Sequence, residues 1–447
     1  MNARIRPWLA AALAALLAVG CGKIGAITQP ASRSGSADFS VYVSVGTSIT
    51  AGWESGGLVE THQRQSYAYL FARQAGAASF TIPSVSADGL PPLLRIASLS
   101  PLIITNAGRV AGAFTNLLQP TPYHNMAVPY AVLFDFADST YYYGGLPRPT
   151  FQFDGIVRHR GTILQQVVSL SPTFVSVEYG SNEILGAASQ GSGTPAFNAA
   201  QFGAILNGTL TGLQALAPGV KLALVTVPDV TTIPFFTTFP PYTVSLSTGL
   251  PVPLVGPGGT PLAPEDHVLL SAVASLAAGD GFPVGSYNYV NPAAPGTGNP
   301  LTDAQVLSAA ETVSIQTYVD GYNGAIRTEA TNRGAALVDL NGLLKLGATQ
   351  GLYFQGTAYT PRFVTGGLFS LDGVHPTDLA HGFIANLMID AVNAQFGASI
   401  PKVDLSGSAT ATASRLAPLR GTRELYPIIE NAGLLCPIPR GEPVASR

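Results

Sequence analysis

The stretch Ser40-Val41-Tyr42-Val43-Ser44-Val45-Gly46-Thr47-Ser48-Ile49-Thr50-Ala51-Gly52 starts as a run of β-branched and aromatic residues, stops at a glycine and meets a serine two residues later. Ser40 to Val45 reads as a strand bounded by Gly46. Outward from it the chain alternates. Leu70 through Ala75 lies in an apolar helical stretch, and residues 161–170 predict a helix from the spacing of Ile163, Leu164, Val167 and Val168. Phe174 to Glu178 reads as a strand, residues 199–216 as a helix with Phe202, Ile205, Leu206, Leu210 and Leu213 apolar, and Lys221 to Val227 as a strand. A long helix is predicted over 303–333, a strand over Ala336 to Leu340, and a last helix over 377–396 on Leu379, Phe383, Ile384, Leu387 and Met388. Strands alternating with helices imply an α/β fold in three layers, α/β/α, with a parallel sheet covered on both faces.

Two stretches break this rhythm. Residues 80–155 hold mixed strand-like pieces and the aromatic run Tyr141-Tyr142-Tyr143, and residues 229–300 are dense in Pro, Gly, Thr and Phe. A long irregular segment inside a domain is usually functional, so 229–300 reads either as a lid over one end of the sheet or as a passive insertion. The tail 401–447 has weak periodicity and is expected to pack loosely or to move.

Composition narrows the partners. Charged residues are 11% of the 447, against roughly 25% in ordinary soluble proteins. The net charge is −3 and the pI near 6.1. With no basic stripe to displace counterions, nucleic acid is excluded as a partner. Gly (49) and Pro (35) are plentiful, which predicts many loops.

Arg4 and Arg6 precede an apolar run from Trp8 to Val19, about a dozen residues. That is too short to cross a bilayer, which takes roughly 20, and it fits the core of a signal peptide. Ala18-Val19-Gly20-Cys21 resembles the lipobox of bacterial lipoproteins, in which the cysteine is lipidated and becomes the mature N-terminus. The resemblance implies residues 1–21 as signal peptide, Cys21 as lipidation site and membrane attachment through that anchor. Gly22 in place of Asp favours the outer membrane over the inner, facing periplasm or exterior. Residues 22–38, rich in Gly, Ser and Ala, read as a flexible tether, and 39–400 as the main domain. Cys436 is the only other cysteine, so with Cys21 acylated no internal disulfide can form.

Three small blocks carry chemistry. Ser48 follows the first strand, and in a parallel sheet ligands bind at the carboxyl ends of strands. A serine hydroxyl needs a base, histidine suits neutral pH, and a carboxylate must orient the imidazole. Ser370-Leu371-Asp372-Gly373-Val374-His375-Pro376-Thr377 supplies such a pair three residues apart, just before a helix. Glu178-Tyr179-Gly180-Ser181-Asn182-Glu183 ends a strand with an asparagine whose amide can donate to an oxyanion. Each block alone also suits a turn or a cap.

Together, in the order Ser, Asn, Asp–His, they resemble the GDSL-type, or SGNH, hydrolase family over residues 40–396. Gly46-Thr47-Ser48-Ile49 matches its first block, Gly180-Ser181-Asn182-Glu183 its third, and Asp372 to His375, with the His-Pro-Thr sequel, its last. Thr47 and Glu183 stand where the family has aspartates. The second block matches Asn125-Met126-Ala127-Val128-Pro129-Tyr130-Ala131, with Tyr130 in the place of a glycine; a rival alignment uses Asn106 with Gly108 or Gly112. The resemblance implies a flavodoxin-like sheet of the SGNH type with long irregular insertions. It also implies serine-dependent ester hydrolysis through an acyl-enzyme on Ser48. His375 is then the base, Asp372 its support, and Ser48, Asn182 and Tyr130 the oxyanion donors, with no cofactor or metal. His62, His124, His159, His267 and His381 show no ligand spacing.

Three functions stay open. One is an esterase or lipase-like acyl hydrolase acting on lipid-like esters. Another is a deacetylase of cell-surface polysaccharide, which predicts a polar, open cleft. The third is a binding lipoprotein on the same fold, which predicts Ser48 beyond hydrogen-bond reach of His375. Phe235, Phe236, Phe239 and Tyr242 are the expected lining of an apolar cleft. Oligomeric state is not readable.

Overall fold

The computed structural model describes residues 34–99, 101–140, 150–417 and 426–429. The signal-peptide stretch, Cys21, Cys436 and Tyr141-Tyr142-Tyr143 lie outside the described residues.

Four parallel strands form the central sheet: β1 (Tyr42–Gly46), β2 (Phe174–Glu178), β3 (Lys221–Val225) and β4 (Ala336–Val338), neighbours in that order. Tyr42 lies opposite Phe174, Phe174 opposite Lys221, and Ala336 opposite Ala223. On the free side of β1, residues 124–128 run parallel to it. Ser44 donates to the His124 carbonyl, Met126 to that of Ser44 and Val128 to that of Gly46, each at 2.9 Å. With this edge counted, the chain order across the sheet is 2-1-3-4-5, the flavodoxin-like order. After β1 the chain goes to one side, and later it returns to build on the other. The crevice this reversal leaves lies at the carboxyl ends of β1 and β2, where ligands bind in such sheets.

Alternation within the strands makes the two faces. Val43, Val45, Val175, Val177, Leu222 and Leu224 enter one core, with Phe202, Leu206 and Leu210 of α5 (Ala199–Leu216) and Ile315, Val319 and Tyr322 of α6 (Ala309–Arg333). Tyr42, Phe174, Ala223, Val225, Ala336 and Val338 enter the other, with α2 (Tyr67–Ala75) and α8 (Asp378–Phe396). α1 (Ser48–Ala51) is the short helix after β1, α3 (Ile163–Ser169) precedes β2, and α4 (Ser181–Ala188) follows it.

Caps set several boundaries. Asn198 Oδ1 accepts from the Gln201 N–H and Gln201 Oε1 from the Asn198 N–H, both at 2.9 Å, which starts α5. Such a cap is worth about 1 kcal/mol. Ser308 and Glu311 make the same box at the start of α6, so the helix expected from 303 begins at Ala309. Residues 303–308 are a 3₁₀ turn and a two-residue strand. β4 ends at Val338, and Leu340, expected in the strand, opens α7 (Leu340–Thr349), capped by the Asp339 carboxylate.

The two insertions are more ordered than their composition predicts. Within 80–155, Arg95–Leu99 and Leu102–Thr105 pair antiparallel. Within 229–300 there are short helices at Pro234–Thr237 and Val273–Ala278 and a hairpin of Tyr242–Val244 with Pro251–Pro253. Leu254, Leu270, Leu276 and Phe282 of that segment are fully buried. It shares the main core and is not a structureless loop.

Of the tail, only 401–417 and 426–429 are described, and there it packs on the body instead of loosely. α9 (Ser406–Leu416) packs on α8 through Leu405 and Ala409, and Ile428–Ile429 pairs parallel with Ile103–Ile104. Tyr426 packs against Tyr289 with ring centroids 4.4 Å apart and the planes tilted by 40°. At the other end the expected tether overlaps the folded body: the Ser36 N–H donates to the Phe396 carbonyl at 2.8 Å and Ala37 is buried.

Candidate active site

β1 ends at Gly46 and Ser48 opens α1, so the hydroxyl stands at the carboxyl end of the sheet. Glycine is required at 46 by close approach: a Cβ there would lie 2.6 Å from the Glu178 carbonyl and 2.6 Å from Thr50 Oγ1. Glu178, the last residue of β2, is 1% exposed. Its Oε2 accepts from the Thr47 N–H (3.0 Å), the Thr47 hydroxyl (2.7 Å) and the Thr50 hydroxyl (3.1 Å), and its Oε1 from the Ser181 hydroxyl (2.9 Å). One buried carboxylate thus ties the serine turn to the start of α4. Burial pushes its pKa up, and the hydrogen bonds from Thr47, Ser181 and Thr50 pull it part of the way back. Thr47 departs from the family's aspartate, and its contacts give the reason. A carboxylate at 47 would face Glu178 with like charge, whereas the threonine hydroxyl donates to it.

Ser48 Oγ lies 2.8 Å from His375 Nε2, and His375 Nδ1 lies 2.9 Å from Asp372 Oδ2. A carboxylate can only accept, so Nδ1 carries the proton and Nε2 turns a lone pair toward the hydroxyl. Asp372 is fully buried. Its Oδ1 also accepts from the Val374 and His375 N–H groups and the Ser370 hydroxyl, and its Oδ2 from the Gly56 N–H at 2.9 Å. Burial alone would raise this carboxyl; the His375 charge and these donors outweigh it and hold the pKa below the ordinary aspartate value.

Asn182 sits in the first turn of α4, after Gly180 at φ +106°. Its Nδ2 donates to the Ala131 carbonyl at 2.7 Å, and an amide has a second N–H to offer. Tyr130, next to that carbonyl, adopts φ +71°, the left-handed conformation a glycine takes freely. Trp53 packs edge-on against its ring at 5.5 Å. Asn125 Nδ2 donates to the Thr50 carbonyl at 2.9 Å, which joins residues 125–131 to the serine turn. The rival residues stand elsewhere: Asn106 follows the strand Leu102–Thr105, and the Gly112 N–H donates to the Gly89 carbonyl. The geometry brings Ser48, Asp372, His375 and Asn182 together and sets Tyr130 beside them.

A cavity of about 80 Å³ opens beside Ser48, Asn182 and His375, walled by Ile49, Leu185, Val230, Ile233, Leu344, Leu368 and Ile384. Leu340, Leu343 and Leu344 come from α7, where the residue pattern predicts only a strand ending at Leu340. The aromatic lining expected from 229–300 is not there. Phe235, Phe236 and Phe239 are at most 2% exposed inside the insertion's core, and Tyr242 is exposed. The insertion instead offers Val230 and Ile233 to the cavity, and its Phe235 N–H donates to the Gly373 carbonyl at 2.9 Å. His381, on α8, is buried against Tyr67, and burial pulls its pKa down to about 4.

Solved structures similar to this chain include a GDSL-like lipase from Parabacteroides merdae (12% identity, 80% of this chain and 97% of that one, TM-score 0.34). Others are an extracellular lipase from Streptomyces rimosus (13%, 79% and 98%, 0.32) and phospholipase A1 from Streptomyces albidoflavus (14%, 79% and 98%, 0.32). No curated protein matches in sequence. The family profile described as GDSL-like Lipase/Acylhydrolase matches residues 42–388, the span that holds β1, Ser48, Asn182 and the Asp372–His375 turn; this chain belongs to that family.

Proposed function

We propose that the protein is a serine ester hydrolase that forms an acyl-enzyme on Ser48 and prefers esters of apolar acyl chains. The observation that carries this reading is the hydrogen-bonded line from Asp372 through His375 to Ser48, opening on an apolar cavity. In this reading Ser48 Oγ attacks the ester carbonyl while His375 Nε2 takes its proton. The oxyanion is held by the N–H groups of Ser48 and Tyr130 and the amide of Asn182. His375 returns the proton to the leaving alcohol, and water, deprotonated by the same imidazole, releases the acid.

A polysaccharide deacetylase predicts a polar, open cleft, and the leucine-rich walls speak against it. A purely binding protein predicts Ser48 out of reach of His375, and 2.8 Å speaks against that. The site reading is tested by labelling with a fluorophosphonate and peptide mass spectrometry. An adduct on Ser48, lost in His375→Ala, is expected; no adduct on folded protein sinks it. Substrate preference is read separately from p-nitrophenyl esters of rising chain length, and highest turnover on acetate would overturn the apolar-acyl assignment.

Attachment to the cell envelope through lipidated Cys21, at the outer membrane, is part of the proposal and rests on the sequence reading. No helix of the described residues is long and apolar enough to cross a membrane. Cys21→Ser should move the protein out of the membrane fraction.

A further inference from the structure

A second cavity, of about 350 Å³, is lined by Glu54, His62, Ser370, Leu371, Thr412 and Arg415 among others. At its wall Glu54 and His62 meet Asp378, the first residue of α8. One ligand atom from each of the three lies within 4.8 Å of the others. His62 Nδ1 is 2.8 Å from Asp378 Oδ1 and 3.3 Å from Glu54 Oε2. Glu54 is 1% exposed, and its Oε2 accepts no hydrogen bond. Only the His62 imidazole, at 3.3 Å, faces this buried oxygen, and it also serves Asp378; two carboxylates sharing one imidazole are costly, and a cation held between them relieves that cost.

We propose that Glu54, His62 and Asp378 form a binding site for one divalent transition-metal ion of the zinc class. One imidazole and two carboxylates are a zinc-type donor set, and the cavity gives a fourth ligand, water, a way in. With bonds of about 2.0–2.1 Å, tetrahedral ligand atoms stand roughly 3.3 Å apart. The His62–Glu54 pair already has that spacing, and the His62–Asp378 pair needs a small opening. Arg415 approaches the other oxygen of Glu54, Oε1, at 3.4 Å and leaves Oε2 clear. The ion displaces the proton on His62 Nδ1, so binding releases protons and weakens in acid.

The ion's place gives it a structural role. The residues after Glu54 hold the catalytic turn: the Ser55 N–H donates to Ser370 Oγ at 2.9 Å and the Gly56 N–H to Asp372 Oδ2 at 2.9 Å. Asp378 follows His375 by three residues. The ion therefore clamps together the segments that carry Asp372 and His375, without touching the reacting atoms. The inference does not depend on the ester-hydrolase reading.

The test uses the full chain, stripped with a chelator and dialysed against buffered zinc chloride. Metal content is read by mass spectrometry and stability by thermal melting. The wild type should hold one zinc per chain and melt higher with zinc than without. Glu54→Gln and Asp378→Asn should each bind zinc at least about tenfold more weakly. His159→Gln, which alters an exposed pair with Asp154, should bind like the wild type. Circular dichroism of the metal-free variants reports folding. If Glu54→Gln does not fold, Asp378→Asn decides, since the Asp378 side chain is 30% exposed. Folded wild type without stoichiometric zinc, or undiminished uptake in folded Asp378→Asn, overturns the site.

Discussion

Asp372 and Glu54 are both buried carboxylates set beside a histidine, and the stretch Glu54-Ser55-Gly56 joins their surroundings. Their protonation goes opposite ways. Asp372 has two backbone N–H donors from its own turn, a third from Gly56, a hydroxyl and an imidazole, and its pKa is lowered despite burial. Glu54 has His62 and Arg415 nearby, but no backbone N–H donates to its carboxylate among the described residues, and Asp378 adds like charge. Burial pushes its carboxyl up to about 7. Burial is common to both, so it does not decide the charge. The surroundings do: at Asp372 the His375 charge, helped by the donors of its turn, outweighs burial, whereas at Glu54 Asp378 opposes the help from His62 and Arg415.

This contrast can be broken at several points. His375→Ala and Ser48→Ala should each cut kcat on a p-nitrophenyl ester by about 10⁴–10⁶-fold with little change in melting. Turnover near the wild-type rate in either would remove the catalytic half of the comparison. Asp372→Asn should cost less, about 10³–10⁴-fold, since the carboxylate orients and stabilises the imidazole without entering the bond changes. A loss equal to that of His375→Ala would mean that Asp372 does more. Asn182→Ala should lower kcat by about 10²–10³-fold with KM little moved; a change confined to KM would make Asn182 a binding residue.

The smallest effect is on stability. A carboxyl whose folded pKa lies above its unfolded value contributes stability that is present below the unfolded pKa and is lost as pH rises through the folded one. For Glu54 that window is pH 4.5 to about 7. His62, which burial would lower, is raised to about 9 by Glu54 and Asp378, and its contribution also falls as pH rises. Metal-free wild type should therefore lose stability from pH 4.5 to 7, and Glu54→Gln should flatten that slope by about 1–3 kcal/mol. Asp372 works in the opposite sense, its contribution being lost only as pH falls below the ordinary aspartate value near 3.8. Equal slopes in wild type and variant would show that Glu54 ionises normally.

The sheet and the catalytic line were legible because they rest on local pattern. Phe174-Val175-Ser176-Val177-Glu178 is buried throughout and reads as strand from its residues alone. Gly46-x-Ser48 places its hydroxyl within one turn of the end of β1, and Asp372-x-x-His375 sits in the turn just before α8. α7 is hard to read from sequence because Ala336 to Leu340 is apolar apart from Asp339, and Asp339 is the helix cap that separates β4 from α7. Phe235, Phe236 and Phe239 were misplaced because composition does not tell a cleft from a small core. Glu178 and the Glu54–His62–Asp378 cluster were illegible because their partners come from 47, 50 and 181, or from 54, 62 and 378, and only tertiary packing brings them together.

Ser48 and His375 stand 327 residues apart in the chain. On a ribosome adding about 5–20 residues per second, the serine is made roughly 15–65 s before the imidazole that activates it. In the proposed mechanism the hydroxyl has no base through that interval. Reactivity arrives late, when the Asp372–His375 turn settles on the amides of Ser55 and Gly56. On that reading the order of synthesis itself delays the site's assembly until most of the chain has been made.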